Sequence, residues 1–460
     1  MTETKTLRQK EVAFVRDWTS GSIIRNLLLL SWPMVLMESM WVVSQIVDLV
    51  WVGRLGSQSM AGVGLANFVL MLLMSVDMGL TVGVRAMIAR HVGAGDIKSA
   101  NHIAGQAILF GATWGALVTV SGLLLIEPVL RLFGVDAAVA AEGTAYARVM
   151  LAGWAGLQVL VYGLYAIQAS GDTVTPMIVE AGMRTLHIAL CPFLVMGYWV
   201  FPRLGVSGAA LSNVAAQVLG AIAVSWILFS GRSRLRPTAR DLRFAPRVMW
   251  RLLKVGIPAL VTNVQVALGG ILLMGFIVPF GTFAVASHTL ASRIEMFLLV
   301  PGMGLGAGAG VLVGQNLGAG RPERARTGAW LAAGIVEAFM VASSAVILIW
   351  AESVVGLFSG DPELIALGST FLRIATAGYL VMAFAFVMQN SIAGAGDTVP
   401  NMIISVAGIW GVQLPLAFLL SRVGGLGIYG VRWAIVASAV ALAFAYTTYF
   451  CLGRWKTKRI

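Results

Sequence analysis

Twelve stretches of this chain are apolar and long enough to cross a bilayer, and that pattern constrains the fold more than any motif does. They run approximately 23–52, 61–88, 101–126, 143–168, 174–200, 206–229, 250–280, 286–314, 327–350, 364–392, 399–421 and 428–452. A spanning helix needs roughly 20 such residues, and inside hydrocarbon it must satisfy its own backbone hydrogen bonds. The runs are continuous rather than alternating, so they read as helices and not as barrel strands. With 58% hydrophobic and 11% charged residues, a water-soluble core could not hide this much apolar surface. The expectation is an all-α polytopic membrane protein with twelve transmembrane helices.

The net charge of +12 would suit a nucleic-acid binder, but its placement argues otherwise. Lys and Arg cluster as five in 5–25, three in 85–98, eight in 232–254, three in 321–326 and four in 454–459. The intervening loops hold only Arg54, Arg131, Arg203 and Arg422. Positive charge stays on the cytoplasmic side, so both termini and the 231–249 linker are expected inside the cell membrane. The same charge attracts anionic lipid; no nucleic-acid partner follows from it. Met1 to Gly21 lacks the charged, apolar and cleavage regions of a removable signal. Two cysteines, Cys191 and Cys451, make neither a disulfide framework nor a zinc site. No His-Glu-x-x-His or nucleophile set appears, so an enzyme is not expected.

The chain repeats itself. Pro33 pairs with Pro258, Met78-Gly-Leu with Met303-Gly-Leu, Val92-Gly-Ala-Gly95 with Leu317-Gly-Ala-Gly320, and Gly171-Asp-Thr-Val with Gly396-Asp-Thr-Val, each at an offset of 225. Beyond that the register slips, and Pro192 pairs with Pro415. Each half holds an even number of spans, so the halves enter the membrane in the same sense. A pseudo-two-fold along the membrane normal is expected, with a central cavity between two six-helix bundles. The expected divisions are a tail at 1–22, a first bundle at 23–230, a linker at 231–249, a second bundle at 250–453 and a tail at 454–460.

Several ionisable residues lie inside the spans, where a charge costs about 2.5–3.5 kcal/mol and therefore faces a cavity or a partner. The first span carries Glu38, Gln45 and Asp48 along one helix side, with Pro33 as a candidate hinge. For Asp48 the bland alternative is a wet helix end beside Arg54. The fifth span carries Glu180, Arg184, His187 and Cys191 at i, i+4, i+7 and i+11, a single face. Its histidine could relay protons; an internal salt bridge with a packing histidine explains the stripe equally well. Asp77 in the second span lines the cavity or pairs with Arg85. Asn263 and Gln265 in the seventh and Glu295 in the eighth complete the candidate cavity wall; Glu295 neutralises a cationic substrate or pairs with an arginine. Gly302, Gly306, Gly310 and Gly314 recur every four residues as a close-packing face. Asp172 and Asp397 are expected to cap the helices after the two Gly-Asp-Thr turns. Trp18, Trp199 and Trp455 read as interfacial anchors.

The motifs Pro33 with Asp48-Leu-Val-Trp-Val-Gly53, Arg293-Ile-Glu295 with Pro301, Leu312-Val-Gly-Gln-Asn-Leu-Gly-Ala-Gly320 and the paired Gly-Asp-Thr turns resemble those of the multidrug and toxic compound extrusion (MATE) transporters. The resemblance covers nearly the whole chain. It implies efflux of amphipathic, often cationic small molecules in exchange for H⁺ or Na⁺, with no other cofactor and a monomer in the bilayer. Asp48 matches the family's first-helix aspartate, which implies proton or cation coupling linked to substrate release. Here the sequence departs from the family: His187 and Cys191 stand where many members carry Asn and Asp before the proline matching Pro192. Na⁺-coupled relatives typically use acids on the seventh and tenth helices, and this chain has none there. H⁺ coupling through Asp48, Glu180 and His187 is therefore the expectation. A flippase or exporter of a lipid-linked or single endogenous amphipathic metabolite, a role within the same superfamily, stays open as the alternative.

Overall fold

The computed structural model describes residues 16–458 and 460; the signal reading for the first fifteen residues lies outside them. The described chain is all helical and spans the membrane many times. Its helices are α1 (Ile23–Gly53), α2 (Ser57–Gly93), α3 (Ile97–Arg131), α4 (Ala137–Ala152 with Trp154–Ala169), α5 (Val174–Met196) and α6 (Val206–Phe229). The second half supplies α7 (Pro246–Ile277), α8 (Thr282–Gly318), α9 (Pro322–Gly356), α10 (Pro362–Gly394), α11 (Thr398–Val423) and α12 (Gly427–Leu452).

Local chemistry accounts for where these helices end and bend. α2 and α8 run further than the apolar stretches 61–88 and 286–314. Backbone hydrogen bonding continues into polar sequence until Gly95 and Gly320, whose φ of 77° and 72° is the left-handed stop that glycine supplies. α4 bends by 52° at Gly153, where a side chain would run into Val214. α11 loosens into π turns at Ala407–Gln413 and Leu419–Val423, on either side of Pro415. Proline offers no N–H, so the ladder re-registers around it. α1 passes through Pro33 without a break.

Both described termini lie at one end of the bundle, the near end. There the halves meet backbone to backbone through glycine. A Cβ on Gly83 of α2 would fall 2.6 Å from the Leu252 carbonyl of α7, and one on Gly304 of α8 would fall 2.7 Å from Cα of Val35 in α1. Gly79, Gly93, Gly308 and Gly318 make equally close passages against Leu260, Gln315, Ser31 and Arg90. Hydrogen bonds run across the same seam, from Arg90 Nη1 to Ala395 O at 3.0 Å and from Gln315 Nε2 to Ala169 O at 3.0 Å. At the far end the cores part. Val52, Tyr146, Trp154, Cys191 and Val206 form a cluster drawn from the first half alone. Leu273, Ile409 and Val431 belong to a cluster of the second half alone, as do Ala291, Ile347 and Phe371. The result is two lobes joined at the near end and separate at the far end.

Two tryptophans are not the anchors the sequence suggested. Trp18 is 7% exposed and Trp455 fully buried, whereas Trp199 is 90% exposed. Trp18 donates from Nε1 to Gly171 O at 3.0 Å and packs into the core of the second half. Trp455 stacks on Phe450 at 4.6 Å. Proximity to a helix end does not distinguish an indole lying on the membrane surface from one folded under the bundle. Beside Trp18, the Thr19 hydroxyl bonded to Asp17 holds that carboxyl below its usual range. The linker is also held: Gln106 donates to Asp241 O and Arg243 O at 2.7 Å each and accepts from Ala245 N at 2.9 Å.

Gly83→Val should force α2 away from α7 and cost about 1–3 kcal/mol, read as a lower thermal midpoint of the detergent-solubilised protein. Gly64→Ala, where a Cβ meets nothing within 4 Å, should stay within about 0.5 kcal/mol. Equal midpoints for the two variants would mean that the glycine seam does not hold the lobes.

Candidate functional site

Asp48 lies on α1 and points into the first lobe. Its side chain is 15% exposed, and Oδ1 is 3.1 Å from His187 Nε2 on α5. Cys191 Sγ, one turn further along α5, donates to the same oxygen at 3.9 Å. Tyr146 of α4 stands beside the carboxylate and the thiol. This is an enclosed site and not a wet helix end near Arg54, whose guanidinium lies over Trp51 at 4.4 Å. Helical spacing brings His187 and Cys191 onto one face; the packing of α5 against α1 brings that face to Asp48.

The far side of the imidazole matters as much. His187 Nδ1 is 3.2 Å from the Ser212 hydroxyl on α6, which is also 2.8 Å from Ala209 O. One hydroxyl proton thus has two acceptors. When it goes to Ala209, Nδ1 must carry its own hydrogen. Nε2 of a neutral ring then faces the Asp48 carboxylate lone pair to lone pair, unless one further proton lies between them. When the hydroxyl donates to Nδ1, Nε2–H faces the carboxylate without an added proton. The Nε2 approach is close but off the direction of a hydrogen bond, so the contact does not by itself choose between the two states. Ser212 carries no sequence signal of its own; a lone serine in an apolar helix is ordinary, and only the fold places it behind His187.

Glu180 and Arg184 pair along α5, with Nη2 to Oε1 at 2.7 Å and Nε to Oε1 at 2.9 Å. Glu38 of α1 lies near both of them and near Arg85 of α2. Gln45 is exposed. Asp77 departs from both of its expected roles. It is 5% exposed, accepts from Trp114 Nε1 at 2.7 Å and from Gln158 Nε2 at 2.5 Å, and is spent inside the first lobe. Arg85 turns instead to Ala307 O of the second lobe at 3.3 Å. A repeat comparison shows only that Asp77 is unique to the first half, not which side of α2 the cavity takes.

In the second lobe Glu295 of α8 pairs with Arg432 of α12, which is 3% exposed. Arg432 also donates to His288 Nδ1 at 3.3 Å and lies over the Phe371 ring at 5.2 Å. Arginine only donates, so this contact fixes the imidazole as the Nε2–H tautomer. Glu295 is therefore matched within the protein rather than left for a cationic ligand. Gln265 departs from a cavity role as well. It is 6% exposed, bonded to Ser405 Oγ at 2.6 Å and to Trp410 Nε1 at 3.1 Å. Asn263 is half-buried and donates to Ala259 O of its own helix at 2.9 Å. Of the two turn aspartates, Asp172 accepts from Thr175 N at 3.0 Å as a cap should. Asp397 does not cap. It takes Tyr449 OH at 2.5 Å and Lys458 Nζ at 2.9 Å, because the end of the chain folds back over that turn.

Comparison with known proteins agrees with this architecture. The MatE family model matches residues 33–193 and again 258–419, two matches whose starts are 225 residues apart. A probable multidrug resistance protein NorM of Thermotoga maritima is 25% identical over 419 residues, covering 90% of this chain and 89% of that protein. A probable multidrug resistance protein YoeA of Bacillus subtilis is 27% identical over 452 residues, covering 95% and 96%. Among solved structures, a MATE protein in a bent conformation aligns with a TM-score of 0.88 at 26% identity, covering 97% of each chain. An outward-facing multidrug resistance MATE transporter aligns at 0.87 and 25%, covering 95% of this chain and 96% of that one.

Arg432→Met leaves Glu295 partly buried without its partner and should cost about 3–5 kcal/mol. The double variant with Glu295→Gln should lose clearly less, as measured by denaturation in detergent. A double-variant loss equal to the sum of the two single-variant losses would show that the pair is not energetically coupled.

Proposed function

The chain belongs to the multidrug and toxic compound extrusion (MATE) family, and from that premise we propose that it is a proton-coupled antiporter exporting amphipathic, often cationic compounds. The observation that carries the proposal is the enclosed contact of Asp48 with His187, backed by Ser212. A proton added there cancels the carboxylate charge or charges the ring, and the site changes by one unit either way. Substrate affinity then falls, because a ligand shifts an equilibrium only by its differential affinity for the two states.

Proton rather than sodium coupling is supported by the atoms around Asp48. A hard cation takes a shell of oxygens, and here a ring nitrogen and a thiol stand beside the carboxylate. The distribution of Lys and Arg supports a near end in the cytoplasm, so the lobes as described open outward from the inner cell membrane. Alternating access then requires the glycine seam to part and the far end to close. A single copy suffices, since both walls of the chamber come from one chain. Glu180 with Arg184 lies earlier on α5, before His187, as a second group that can respond to the charge on Glu38.

In proteoliposomes the protein should exchange a cationic dye against ΔpH and not against ΔNa⁺ alone. Asp48→Asn should insert normally and lose ΔpH-driven exchange by roughly tenfold or more, the equivalent of about 1.4 kcal/mol. Ser212→Ala should shift the pH at which exchange is half-maximal while leaving exchange present. Wild-type rates for Asp48→Asn, or full exchange driven by Na⁺ without ΔpH, would remove the coupling scheme.

A further inference from the structure

The first lobe carries a second charge cluster, apart from the Asp48–His187 contact. Glu38 of α1, Arg85 of α2 and the Glu180–Arg184 pair of α5 gather around Tyr165 of α4, with Arg85 at the glycine seam. Two acids and two bases make the cluster neutral overall. Glu180 and Arg184 satisfy each other at 2.7 Å. Among the described residues Glu38 has no hydrogen-bond or ion-pair partner, and Arg85 meets only the Ala307 carbonyl and the Tyr165 ring at 5.3 Å. One charge of each sign is therefore left near its opposite but without a direct ion pair among the described residues, on two neighbouring helices that border the chamber. A cavity of ≈ 30 Å³ between Arg85, Gly310 and Asn390 flanks the guanidinium.

The internal repeat shows that the fold does not require these charges. At the offset of 225, Glu38 corresponds to Asn263, Arg85 to Gly310 and Tyr165 to Asn390. Glu180 falls among Ile403 to Ser405, where the register slips. The second lobe builds the matching wall without charge, and Asn263 and Asn390 spend their amides on carbonyls of their own helices. An uncompensated charge at membrane depth is costly and marks a substrate path. A pair of opposite sign does not favour a simple cation over an anion; it favours a molecule that carries both charges.

We propose that the chamber floor is a two-sign site that selects zwitterionic amphiphiles, with the ligand's cationic group on Glu38, its carboxylate or phosphate on Arg85 and its aromatic body against Tyr165. This inference rests on the export function above and names the substrate class. The second lobe's Glu295 does not compete for the cation, because Arg432 already holds it.

The test is equilibrium binding to the purified full-length protein, by fluorescence anisotropy, of rhodamine B and of its ethyl ester. The two dyes share a ring system; the first is a zwitterion near neutral pH and the second a monocation. Wild type should bind the zwitterion at least several-fold tighter than the ester. Arg85→Gln should abolish that preference while still binding the ester, and Arg85→Lys, which restores the charge, should recover it and exclude misfolding as the cause. Glu38→Gln should weaken both dyes. A wild type that prefers the ester, or a zwitterion preference that survives Arg85→Gln, would overturn the two-sign site while leaving export of cations intact. A protein that binds neither dye and exchanges no cation against ΔpH would remove the export reading and this inference together.

Discussion

The structure depends on how closely two backbones can approach inside a membrane. Hydrocarbon gives helices no hydrophobic reason to associate, so contact area and hydrogen bonding decide what touches. At the near end, glycines on α2 and α8 remove side chains from the seam and let helix axes of different lobes close together. At the far end, among the described residues, no comparable glycine face joins the lobes, and each keeps a core of its own. The chamber is what remains between one strong seam and one open end.

The repeat sets the frame, and its exceptions carry the chemistry. Asp48, Glu38 and Arg85 have Leu273, Asn263 and Gly310 at the same offset. In the other direction, Glu295 and His288 have Leu70 and Val63. Each lobe therefore adds ionisable groups to positions that its twin fills with small, apolar or amide side chains. The first lobe leaves some of its charges open or lightly held. The second closes its own into a compact group of Glu295, Arg432 and His288.

How far the candidate site was legible depended on whether partners shared a helix. The Glu180–Arg184 pair and the common face of His187 and Cys191 follow from periodicity along α5. Asp77 was misplaced for the converse reason: its partners Trp114 and Gln158 lie on α3 and α4, and neither has a spacing relation to α2. Gln265 was misplaced in the same way by Ser405 and Trp410 of α11. Asp397 looked like its repeat mate Asp172, but its partners Tyr449 and Lys458 come from α12 and the residues that follow it.

Taken alone, the sequence determined that the chain is helical, that it crosses the membrane many times and that it is built twice. Apolar length, the hydrogen-bond demand of hydrocarbon and a constant offset are properties of the chain itself. It also narrowed the ionisable residues to a short set, because charge in an apolar run is conspicuous. Tertiary structure alone decided which of them meet. It joined Asp48 to His187, with Ser212 behind the ring, and left Glu38 and Arg85 without a direct ion pair among the described residues. It also buried Trp18 and Trp455 and fixed which end of the bundle is shut. The physical reason is that a charge's partner in a bundle usually lies on another helix, and rotation about each helix axis is set by packing against neighbours that no linear pattern records.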